Sequence, residues 1–107
     1  MPLTFHIASS VNEAVIGETE FVLTEQLFGQ LFHHAYGLQK CPELTLLQRI
    51  NYHTDVEFSK DEIVALVKEL DYAISHIVSV PQLRSTLQYF RDVCTRAVDQ
   101  KKGIYGL

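Results

Sequence analysis

Residues 59–78 read SKDEIVALVKELDYAISHIV, the clearest helical pattern in the chain. Ser59 and Glu62 have the S-x-x-E spacing of a capping box, in which two backbone donors left open at a helix start are satisfied reciprocally. Ile63, Leu66, Val67, Leu70, Ile74 and Ile77 then recur at helical intervals and form one apolar stripe. Burying one large apolar side chain contributes about 1.5–3 kcal/mol, so six supply on the order of 10 kcal/mol before the cost of ordering the chain. This is a helix that needs a cover.

Working outward, Pro81 disfavours helical geometry at Val80 and so ends that helix near Ser79. A second helix is predicted from about Pro81 to Lys101, with the stripe Leu83, Leu87, Phe90, Cys94 and Ala97 flanked by Val93 and Val98. Asp92 and Arg96 have the spacing of an i,i+4 ion pair. So short a connection makes the two helices antiparallel neighbours. Upstream, Pro42 leads a short helix to about Arg49, and an extended connector runs from there to Ser59. A strand through Ile50, Tyr52, Thr54, Val56 and Phe58 is the competing reading.

Further back, Thr19 or Thr24 caps a helix to about Tyr36, with Gly37 in the stop position. Leu23, Leu27, Leu31 and Ala35 form one of its rows, Phe28, Phe32 and Tyr36 the next, and Gly29 lies inside it. Residues 3–8, LTFHIA, alternate as a strand. Residues 9–17 read equally as a loop or a short strand, and residues 104–107 as a last strand pairing with 3–8 or as a tail. The expected fold is therefore mainly α, with α+β as the alternative. It has about four helices, the last two long and antiparallel, with short strands confined to the termini, in a single globular domain over residues 1–107.

A hydrophobic fraction of 47% and a charged fraction of 21% argue against intrinsic disorder. Nine basic against 13 acidic side chains, a net charge of -4, argue against nucleic acid or an anionic membrane as partner. No apolar run approaches the ~20 residues that span a bilayer, and the N-terminus lacks the pattern of a signal peptide. Cys41 and Cys94 read as reduced thiols of a cytoplasmic protein, a disulfide being the alternative.

No motif for nucleophilic, phosphate or dinucleotide chemistry is present: C-x-x-C, G-x-S-x-G, a P-loop and G-x-G-x-x-G are all missing. No catalytic residue and no cofactor is therefore expected. His33 and His34 are adjacent, about 100° apart on a helix, and H-E-x-x-H is absent. His34, His53 and Asp55 are the candidate metal ligands, weighed against solvated polar side chains around loops. Among the carboxylates, Glu13, Glu18, Glu20 and Glu25 precede any Lys or Arg, the first being Lys40. Asp55, Glu57, Asp61 and Glu62 gather at the start of the central helix. Glu18, Glu20, Asp55 and Glu57 are the candidate residues for docking a basic protein partner, where complementary charge speeds encounter and sets specificity. Self-association through the Phe28/Phe32 face is a further reading.

Pro42-Glu43-Leu44, Leu47-Gln48-Arg49-Ile50-Asn51-Tyr52, Asp55, Phe58, Glu62, Leu66 and Glu69-Leu70 form a pattern over residues 42–100. This pattern resembles small bacterial proteins, some of which are treated as immunity proteins of polymorphic toxin systems. Members often end in an apolar strand followed by Gly-Asp, whereas this chain has Gly106-Leu107. The resemblance implies a cytoplasmic, non-enzymatic protein that binds and blocks another protein, and it brings no catalytic residues.

Overall fold

In the computed structural model, residues 2–34 and 36–107 are described, so Ala35 lies outside the described residues. The first strand, β1 (Leu3–Ala8), leads into a short helix, α1 (Val11–Ile16), and a second strand, β2 (Phe21–Leu23). A one-turn helix, α2 (Glu25–Phe28), widens at once into a π-helical segment over Gly29–His34. Two 3-10 turns, Leu38–Lys40 and Leu47–Arg49, precede β3 (Val56–Phe58). Helices α3 (Lys60–His76) and α4 (Pro81–Gln100) and strand β4 (Gly103–Gly106) complete the chain.

The four strands form one antiparallel sheet in the order β2-β1-β4-β3. The expectation of a mainly α fold is overturned: the chain is α+β. The physical reason lies in strand length and in where the pairing partners come from. β2 and β3 have three residues each and β4 has four, too few for alternation to stand out, and their backbone groups are satisfied by segments far away in sequence. Residues 56–58, read as connector, pair with β4, and residues 21–23, read next to or inside a helix, pair with β1.

Period-two alternation gives the sheet two distinct faces. Leu3, Phe5, Phe21, Leu23, Val56, Phe58 and Ile104 are buried, and α3 and α4 cover this inner face with Ile63, Leu66, Leu70, Leu87, Phe90 and Cys94. Phe90 packs on Phe5 and Phe21 with ring centroids 4.9 and 4.8 Å away. Gly106 sits where a Cβ would come within 2.8 Å of Val56 and 2.9 Å of the Phe5 ring. A side chain there would pry the central strands off the core.

Local chemistry explains the other departures. The helix expected after Pro42 is a series of turns, held from outside by α3. Glu69 accepts from the Leu46 N–H (3.0 Å) and the Leu47 N–H (3.0 Å), doing for a 3-10 turn what an N-cap does for a helix. Arg49 binds Glu62 at 2.6 Å, donates to the Glu57 carbonyl and lies 4.9 Å from the Phe58 ring centroid. Most of the pattern over residues 42–70 thus has structural work, since Leu44, Leu47, Ile50, Phe58, Leu66 and Leu70 are all buried. The helix expected through Tyr36 starts at Thr24, whose Oγ1 accepts from the Leu27 N–H, and gives way to the π segment at Gly29. Residues 11–16 are helical because Ser10 Oγ accepts from the Glu13 N–H at 3.2 Å. Arg96 pairs with Glu20 at 3.1 Å in place of Asp92, drawing the β2 end of the sheet onto α4.

Both cysteines are free thiols. Burial pushes Cys94 up to about 12 and raises Cys41 as well, so neither thiol is activated. Among the described residues, no helix is long and apolar enough to cross a membrane.

Candidate functional site

The outer face of the sheet carries His6, Tyr105 and Glu57 in one cross-strand row, through the pairs His6–Tyr105 and Glu57–Tyr105. Helix α1 packs against β1, and only Ala14 of it is buried. Its large apolar side chains stay out of the core: Val15 and Ile16 are 66% and 86% exposed, and Val11, 50% exposed, borders a groove at the sheet. A surface helix ordinarily turns such residues to the core. This one is inside out.

His6, only 7% exposed, fixes the segment that follows α1. Its Nδ1 lies 2.9 Å from the Glu18 carbonyl oxygen and its Nε2 3.0 Å from Thr4 Oγ1. A carbonyl can only accept, so Nδ1 carries the proton. Thr4 in turn exchanges both backbone hydrogen bonds with Leu107, which ties the α1–β2 segment to the chain end.

The four acids singled out by sequence stand in two pairs at opposite edges of the sheet. Glu18 is exposed and has no ion pair among the described residues, whereas Glu20 is neutralised by Arg96. Asp55 and Glu57 line a groove of about 330 Å3 with Val11, Tyr105 and Leu107, so this second pair adjoins α1. The Glu57 carboxylate accepts from the Tyr105 hydroxyl and holds that phenol above its usual range. Glu13 of α1 binds Lys102 at 2.8 Å, and that contact, with the Ser9 N–H, holds its carboxyl below the usual range.

A second place lies between the π segment and residues 51–53. Glu25, Phe28, His33, His34, Tyr52 and His53 line a cavity of about 350 Å3. His33 and His34, adjacent in the π segment, both line this cavity, with ring centroids 6.4 Å apart. His33 also packs edge-on against Phe28 at 4.8 Å, and His53 against Tyr52 at 5.4 Å. Of the three candidate metal ligands, His34 and His53 share this cavity and Asp55 does not. Among the described residues, no three His, Cys, Asp or Glu side chains are grouped closely enough to hold a metal ion.

Sequence reasoning missed the α1 crest and the place of Glu25 beside the histidines of the cavity. One signal was available: Ser10 and Glu13 repeat the S-x-x-E spacing read at Ser59, and so mark a helix start. With a helix over residues 11–16, Val11 and Val15 fall on one face at i,i+4. The π segment had no comparable mark. No known protein family, curated protein or solved structure matches the chain.

Proposed function

We propose that this chain is a non-enzymatic protein-binding module that captures a basic partner on the outer side of its sheet. The observation that carries the reading is the outward crest of α1, Val11, Val15 and Ile16. Isolated exposed apolar side chains need no explanation, but three on one short helix make a patch of the kind that partners cover. The surrounding charge sets the class of partner. Glu18 and Asp55 make no ion pair among the described residues, Glu57 lies in the groove beside Val11, and no Lys or Arg occurs before Lys40. A second copy would bring these carboxylates against each other, so a basic protein fits better. The resemblance of residues 42–100 to small bacterial proteins, some of them treated as immunity proteins of toxin systems, supports the same reading, with a toxin as the partner blocked.

The test is calorimetric titration of this chain with the purified product of the adjacent reading frame, at low and high salt. Binding that weakens as salt rises, and that is lost with Val15→Gln/Ile16→Gln, supports the proposal. Absence of binding, salt-indifferent binding, or a homodimer that the double variant dissociates overturns it.

A further inference from the structure

The cavity beside the π segment has a composition that selects its ligand. Among the described residues, Glu25 is the one formally charged side chain lining it, and it makes no ion pair. No described Lys or Arg lines it, which disfavours an anion. Five of its lining side chains are rings: Phe28, His33, His34, Tyr52 and His53. The Glu25 carboxylate accepts only, and Gln39 turns its Nε2 to the Ile50 carbonyl (3.3 Å). The complement is a positively charged group with N–H donors and a flat shape that lies on rings. That is a guanidinium, which pairs with carboxylates through two parallel bonds and stacks on aromatic faces. An ammonium has the charge without the plane. The volume of about 350 Å3 is at the small end of ligand sites and suits one side chain.

We propose that this cavity is an arginine pocket, in which an Arg side chain of the basic partner pairs with Glu25 and lies against the ring side chains. The source of that arginine rests on the protein-binding reading; the chemistry of the pocket does not. Arginine is enriched among the residues that dominate interface energies, so a pocket that takes one would anchor a partner.

The test uses the full chain and a single capped amino acid, Nα-acetyl-arginine methylamide, titrated by two-dimensional amide NMR. Saturable shifts confined to residues 25–34, 39 and 51–53 are expected. The capped lysine should bind at least threefold more weakly, and the capped glutamate should give no saturable shift. Glu25→Gln should weaken arginine binding at least tenfold with the rest of the spectrum unchanged, which separates loss of the site from loss of the fold. No saturable arginine shift, equal response to glutamate or lysine, or full affinity in Glu25→Gln would each overturn the inference. Because the probe has no contact with α1, its failure leaves capture on the crest standing, and failure of the crest leaves the pocket standing.

Discussion

Glu69 offers the sharpest check on how the turns over residues 41–50 are held. Its two carboxylate oxygens sit 3.0 and 3.1 Å from the Leu46 nitrogen, and Oε1 sits 3.0 Å from the Leu47 nitrogen. Glu69→Ala leaves both amides without a protein acceptor. A hydrogen bond to a charged group contributes about 1.5–3 kcal/mol, and because Glu69 is half-buried water recovers part of that. About 1 kcal/mol for each amide, about 2 kcal/mol together, is the resulting loss. A chain of this size has a melting entropy of about 0.22 kcal/mol/K, so Tm should fall by about 9 °C. Glu69→Gln keeps one acceptor oxygen and should fall about half as far. Thermal unfolding followed by circular dichroism at neutral pH reads both. If Glu69→Ala melts within about 2 °C of the parent protein, or if the two variants fall equally, the carboxylate is not the cap described here.

Two further outcomes concern the fold. Lys101 ends α4 at φ 58°, a left-handed conformation that costs a side-chain-bearing residue about 1 kcal/mol. Lys101→Gly should therefore raise Tm by about 2–5 °C, and a fall would show that Lys101 has a contact worth more than the strain. Glu62 is held below the usual carboxylate range by the Ser59 N–H, assisted by Arg49. Folded Glu62 releases its proton more readily than the unfolded chain does, so its contribution is full above the ordinary glutamate pKa of about 4.3 and is lost as pH falls through the lower folded value. Glu62→Gln should consequently melt below the parent protein at pH 7 and close to it at pH 2–3; an equal gap at both pH values would contradict the linkage.

What could be read from the sequence follows the range of the forces involved. The central helix was legible because its signals are local: Ser59 and Glu62 form the capping box, and Ile63, Leu66, Leu70 and Ala73 are buried on one side. Strand β1 was legible for the same reason, six residues being enough for alternation to show. The sheet as a whole was not. A three-residue strand such as Val56–Phe58 is defined by its partner, and that partner lies beyond α3 and α4. The site divides in the same way. The acids were visible as charges, but Arg96 removes Glu20 from the free set through a contact made only in the folded chain. The cavity is lined in part by a π segment, Gly29–His34, which no residue pattern marks.

The crest of α1 is proposed as a binding surface and stands outside the core. Ile16 and Val15, being 86% and 66% exposed, contribute little to folding, so Val15→Gln/Ile16→Gln should leave Tm within about 2 °C of the parent value. In a covered interface each would contribute about 1–2 kcal/mol. The decisive measurement is the dissociation constant for the adjacent reading frame's product with parent and double-variant protein, taken alongside the two melting curves. A binding crest requires at least a tenfold loss of affinity with unchanged melting. Unchanged affinity would contradict it.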